Sequence, residues 1–133
     1  MSIKIELSVG ELLDKVTILQ IKAERINDAS KLENINKELQ VLQAQWKESP
    51  YSQKDLASSI AELKAINEEL WDIEDKIRDK ESLQVFDSEF IELARSVYFT
   101  NDKRAEVKKV INAKTGSELV EEKSYSDYTV SNK

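Results

Sequence analysis

The sequence predicts an all-α protein: an antiparallel helical bundle or hairpin of about four amphipathic helices, with a short N-terminal strand and a polar C-terminal tail. Two observations carry this prediction. Helix breakers are scarce, two glycines and one proline in 133 residues, whereas a fold rich in tight turns needs many more. Apolar residues recur at three- and four-residue spacings through most of the chain, the period of a helix that buries one face. Residues 1–133 read as a single helical domain, long enough to bury a core without staples, with 116–133 as a more loosely attached tail. Hydrophobic residues make up 40% and charged residues 35%, which is charge-rich but not the composition of a disordered chain.

The elements follow in order. Ile3, Ile5 and Leu7 alternate with Lys4 and Glu6, a strand pattern. A lone strand needs a partner, so it pairs with a symmetry mate or runs extended across the helices. Ser8-Val9-Gly10-Glu11 is a capping box. The helix it opens runs to about Asn27, with Leu12, Val16, Leu19, Ala23 and Ile26 as a stripe that Leu13, Ile18 and Ile21 widen; such a helix belongs at the centre. Ser30-Lys31-Leu32-Glu33 is a second capping box. Leu32, Ile35, Leu39, Leu42 and Trp46 then form a narrow, coiled-coil-like seam. The short link around Asp28 and Ala29 makes the first two helices an antiparallel hairpin.

Pro50 marks the clearest break, and Ser52 with Asp55 can cap a third helix over about residues 53–81, on the order of 40 Å long. Its seam is Leu56, Ile60, Leu63, Ile66, Leu70, Ile73 and Ile77, with Trp71 beside it. A fourth helix starts near Asp87 or Ser88 and carries Phe90, Ile91, Ala94, Val97 and Tyr98. Thr100-Asn101-Asp102 is a run of capping residues that can end this helix and start another with Ala105, Val107, Val110 and Ile111. Gly116 is a natural helix stop. Residues 117–133 read as one short helical turn and an extended tail.

The residue inventory restricts the chemistry. The absence of cysteine removes disulfides, thiolate metal sites and thiol nucleophiles, and the absence of histidine removes the commonest metal ligand and neutral-pH base. No catalytic constellation, no metal site and no cofactor are expected. A net charge of −6 disfavours nucleic acid as a partner. No run of apolar residues is long enough to span a membrane. The first residues lack the apolar core of a signal peptide, so cytoplasmic residence is the expectation.

Two charged regions remain. Trp71-Asp72-Ile73-Glu74-Asp75 is read as a cation site or, preferably, as a solvated face with pairs such as Glu74–Arg78 and Asp72–Lys76. Arg95, Lys103, Arg104, Lys108 and Lys109, interleaved with Tyr98 and Asn101, are read as an anion pocket or, preferably, as a basic surface. That surface would complement the third helix: residues 51–87 carry ten acidic and five basic side chains, residues 88–116 four acidic and six basic. Glu121-Glu122-Lys123-Ser124-Tyr125 either closes over the basic stretch or forms part of a loose tail.

The segments Ile5-Glu6-Leu7-Ser8-Val9-Gly10-Glu11-Leu12-Leu13-Asp14-Lys15-Val16-Thr17-Ile18-Leu19, Leu70-Trp71-Asp72-Ile73-Glu74-Asp75-Lys76-Ile77-Arg78, Phe90-Ile91-Glu92-Leu93-Ala94-Arg95-Ser96-Val97-Tyr98-Phe99-Thr100-Asn101-Asp102-Lys103-Arg104-Ala105 and Glu121-Glu122-Lys123-Ser124-Tyr125 resemble a small family of uncharacterised all-helical bacterial proteins. Members also occur in phages of marine bacteria, some near genes for surface glycans. The resemblance implies no activity. It does draw attention to polar residues inside the shared motifs, and the candidate binding residues are Arg78, Arg95, Tyr98, Asn101, Asp102, Arg104, Glu121, Glu122 and Tyr125. A weaker similarity is to all-helical chorismate mutases, which would set Arg25, Arg78, Arg95 and Arg104 around a dicarboxylate. Two functional expectations result: a non-catalytic, homo-oligomeric protein-interaction module, or a binder or enzyme for a small anionic ligand such as a glycan precursor. The second places Arg95, Tyr98, Asn101 and Arg104 around a pocket, with Glu121 or Glu122 as acid or base.

Overall fold

The structure, a computed structural model, describes residues 1–130. Its four helices are α1 (Val9–Arg25), α2 (Ala29–Glu48), α3 (Ala57–Ser82) and α4 (Ser88–Thr115), with a short 3-10 turn at Pro50–Gln53. The three residues between α1 and α2 reverse the chain into an antiparallel hairpin, and a second antiparallel hairpin joins α3 to α4. Helix α1 is central and packs on the other three. Leu13, Thr17 and Ile21 are almost fully buried in line along one face, and burial of Val16 and Leu19 to one side and of Asp14 to the other widens the covered surface, as its broad apolar stripe requires. Val9, Leu13, Leu56, Leu63, Ile66, Val107 and Ile111 form the core, with Trp46, Tyr51, Ile60 and Leu70 against it. Helix α2 is peripheral: Ile35 alone of its described residues is buried.

Several local expectations are corrected. Residues 1–8 form no strand; Ile3 is 91% exposed and no sheet edge is at hand to satisfy a strand's backbone. Ser8 caps α1 by accepting from Glu11 N–H at 3.2 Å, but the Glu11 side chain does not return the bond, because it is drawn to Lys108 instead. Helix α2 is capped by Asp28, whose carboxylate accepts from Lys31 N–H at 3.0 Å, rather than by Ser30. A carboxylate at a helix N-terminus also meets the positive end of the dipole. Ser52 does not cap α3: its hydroxyl donates to the carbonyls of Lys47 and Ser49, and α3 begins after Leu56 with no side-chain cap.

The largest correction is at Thr100-Asn101-Asp102. Helix α4 runs through these residues without a break. Each such residue disfavours a helix interior by only about 0.5–0.7 kcal/mol. Burial of Thr100 itself and of Val107 and Ile111 about two and three turns on outweighs that. The helix ends where expected, at Gly116, whose φ of 65° is the left-handed conformation that favours glycine at this position. No helical turn follows in 117–130, and the last three residues of the predicted tail lie outside the described part.

Acidic α3 and basic α4 do lie side by side, yet among the described residues no α3 carboxylate pairs with an α4 cation. Two acids of α3 pair with α1 instead: Arg25 reaches Asp72 at 2.6 Å and Glu68 at 3.7 Å and stacks over Trp71. Arg25 is also the last residue of α1. Beyond it α3 and α4 continue as a two-helix arm, about 15 Å long from the ten residues after Asp72 in α3. In the arm past Ile73 and before Thr100 no residue is buried. Leu83, Phe86 and Ile91 are more than half exposed at 72%, 53% and 55%, while Ile77, Phe90, Leu93 and Val97 are only half-buried. No described helix is long and apolar enough to cross a membrane.

Candidate functional site

The start of α1 touches α4 with almost no separation. A Cβ on Gly10 would lie 2.7 Å from the Lys108 carbonyl oxygen, so only glycine fits the crossing as it stands. The close approach lets Gly10 N–H donate to Asn112 Oδ1 at 2.7 Å. It also brings the Lys108 ammonium into the bundle, where the residue is 7% exposed. Its Nζ lies 2.6 Å from Glu11, 2.9 Å from Glu121 and 3.7 Å from Asp14. Asp14 accepts from Asn67 Nδ2 at 2.8 Å, and the same amide donates to Thr17 Oγ1 at 3.1 Å. Arg104 donates to Asn67 Oδ1 at 3.4 Å. One buried network therefore joins α1, α3, α4 and the tail.

Burial works against both charged forms in this network, but the direct contacts win. The hydrogen bond and charge of Lys108 hold the Glu11 carboxyl below the usual range. Hydrogen bonds to Glu11 and Glu121, with the charge of Asp14, raise Lys108 above an ordinary lysine. A lysine held so firmly protonated is neither a base nor an amine nucleophile at neutral pH. The network is fit to hold segments together, not to move a proton.

On the outward side of α4 the tail encloses a cleft of about 720 Å³. Tyr98, Asp102, Ala105, Glu106, Lys109 and Asn112 of α4 form one wall, and Glu121, Lys123, Tyr125, Asp127 and Tyr128 of the tail the other. The tail is fixed at three points. Ser117 Oγ accepts from Val9 N–H at 3.1 Å, Glu121 holds Lys108, and the Tyr128 hydroxyl donates to Asp102. That last contact raises the Tyr128 phenol above its ordinary value, because ionisation would set it against a carboxylate. Tyr128 also stacks on Tyr98 and, edge-on, on Phe99, with ring centroids at 5.4 and 5.1 Å.

The structure brings some of the predicted residues together and scatters others. Tyr98, Asp102, Glu121 and Tyr125 line the cleft. Arg104 points to the inner side, and its Nε is buried with no partner among the described residues. Arg95 pairs with Glu92 and lies over Phe99, and Arg78 pairs with Glu74 on the arm. Asn101 is half-buried on a neighbouring face and Glu122 is exposed; neither lines the cleft. The arginines of the weaker similarity do not converge: Arg25, Arg78 and Arg95 each hold a different carboxylate, and Arg104 holds an amide.

Sequence reasoning missed Gly10, Thr17, Asn67 and Asn112, and gave Glu11 a different partner. A signal for three of them existed. Thr17 lies midway between Leu13 and Ile21, and Asn67 between Leu63 and Leu70, both in the phase of the apolar seam. A polar residue in a seam must be hydrogen-bonded. Asn112 sits one turn beyond Lys108. The helical glycine, in a chain with so few, marked the close crossing.

Neither a curated protein nor a solved structure matches the chain. Residues 3–132 match the model of a family of unknown function, DUF6165, and the chain belongs to that family.

Proposed function

We propose that this protein is a non-catalytic interaction module that self-associates through the α3–α4 arm. The observation that carries the reading is the arm's open seam. Two helices continue beyond the reach of α1, and their apolar positions are half-buried or exposed throughout. Exposed apolar surface of this kind, at the end of an ordered hairpin, is an expected docking face. A second arm related by a two-fold axis would turn an open helix pair into a four-helix seam, the arrangement in which such stripes are normally buried.

The arm's charge predicts how association responds to salt. Residues 71–99 carry eight acidic and four basic side chains, a net −4. Pairing two arms brings like charges together, and added salt screens that repulsion. The test is sedimentation of the purified protein over a range of concentrations. A dimer is expected, strengthened by salt and reduced to monomer by Phe86→Glu or Ile91→Glu with the helical content unchanged. A monomer at all concentrations, or a dimer indifferent to both substitutions, refutes the reading.

A further inference from the structure

The cleft lies along the C-terminal half of α4, next to the root of the arm. Its volume, about 720 Å³, falls within the roughly 300–1,000 Å³ of small-molecule sites. Its floor is a single helical stripe. Tyr98, Asp102, Ala105, Lys109 and Asn112 follow one another at spacings of four, three, four and three, so they stand one above another. Ala105, the small residue in the middle, makes the floor concave.

The polar groups of the cleft are unevenly engaged. Asn112 is 3% exposed, and its Oδ1 is fixed by the Gly10 N–H at 2.7 Å. Flipping the amide would set donor against donor, so Nδ2 is committed to the other side. It lines the cleft and has no partner among the described residues. Open to the cleft, this amide donor is available to a ligand's acceptor. Lys109, one turn earlier on the stripe, has no ion-pair partner among the described residues either.

Three of the cleft's four carboxylates, by contrast, already accept a hydrogen bond. Asp102 accepts from Tyr128, Asp127 from the Thr129 N–H and hydroxyl, and Glu121 from Lys108. Glu106, one turn from Lys109, accepts no hydrogen bond among the described residues. Its charge would oppose a second negative group on a ligand and accept from a ligand hydroxyl. The walls are the rings of Tyr98, Tyr125 and Tyr128, which suit a ring-shaped body.

We infer that the cleft binds a small, hydroxylated, ring-shaped organic monoanion. Its carboxylate or phosphodiester rests on Lys109 and Asn112, and its ring lies over Ala105 among the tyrosines. The test is calorimetric titration of the full chain with four probes: glucuronate, 4-hydroxybenzoate, dimethyl phosphate and glucose. Saturable, millimolar or tighter binding is expected for glucuronate or 4-hydroxybenzoate. Stronger binding of dimethyl phosphate would assign the anion as a phosphodiester, and glucose, lacking the charge, should bind more weakly than glucuronate.

Lys109→Gln should weaken the best probe by about tenfold or more, the usual effect of losing a charge-assisted hydrogen bond. Ala105→Trp should abolish binding by filling the floor. Lys37→Gln, exposed on α2, should change nothing. Lys109 is exposed, so its variant keeps the test valid if the tryptophan variant fails to fold, which circular dichroism would reveal. No saturation by any probe, equal binding of glucose and glucuronate, or full affinity in Lys109→Gln overturns the inference.

Discussion

Replacing Lys108 with methionine removes the ammonium while keeping most of the side chain's length, so the charge itself is tested. Three carboxylates, those of Glu11, Asp14 and Glu121, lie 2.6, 3.7 and 2.9 Å from the Lys108 Nζ and then lose the charge between them. Removing one partner of a buried ion pair costs about 3–5 kcal/mol, and the partial exposure of Glu11 and Glu121 puts the expectation near the lower end, about 3 kcal/mol. At about 2.1 cal/mol/K of unfolding entropy per residue, 133 residues convert this into a fall in Tm of about 11 °C. The pH dependence gives a second signature. Glu11 is held below its ordinary value, so its contribution in the parent is present above about pH 4.3 and lost as pH falls through the folded value. In the variant the three carboxylates repel one another, and protonation relieves the repulsion. Thermal melts followed by circular dichroism should therefore show the gap between parent and variant narrowing from about pH 7 to about pH 4. A variant within about 3 °C of the parent at neutral pH, or a gap that widens in acid, would refute the assignment of Lys108 as the buried cation of this network.

Two further substitutions probe the packing around it. Gly10→Ala should destabilise by about 1–3 kcal/mol despite alanine's better helix propensity, because the new Cβ meets backbone rather than a movable side chain; equal or higher stability in a denaturant titration would contradict the close crossing. Leu63→Ala, at a side chain with no exposure, should cost about 2–5 kcal/mol without changing the slope of the denaturant titration, and a loss under about 1 kcal/mol would mean that the core is not centred there.

The helices were legible in the sequence because their signals are local. The apolar spacing of α1 and α3, the Ser8 cap, the Asp87 start and the Gly116 stop all depend on neighbours within a turn or two. What was illegible depends on distant partners. Glu11 fits a capping box and also an ion pair, and nothing in the local sequence says that Lys108, nearly a hundred residues on, will claim it. The capping triplet at Thr100 reads as a helix end only while the burial of Thr100 is unknown. The candidate cleft was partly legible, through Tyr98, Asp102, Glu121 and Tyr125. The arginines drew attention as the obvious anion ligands, and each instead found a nearer partner.

The unbroken course of α4 has a consequence for how its two ends relate. Had the helix broken at Thr100, the arm and the cleft would be separate bodies joined by a loop. Because it does not, Tyr98 and Phe99 stand at the junction, at the root of the arm and at the mouth of the cleft. Tyr128 of the tail packs on both rings and holds Asp102. A second chain seated along the arm as far as Phe99 would meet Tyr128, and any displacement of Tyr128 alters a wall of the cleft. The rigid helix sets where the two surfaces lie, while the tail, held at three points, bears on both through Tyr128. Coupling that passes through Tyr128 would be reciprocal: whatever association at the arm does to the cleft, an occupant of the cleft does to association by the same factor.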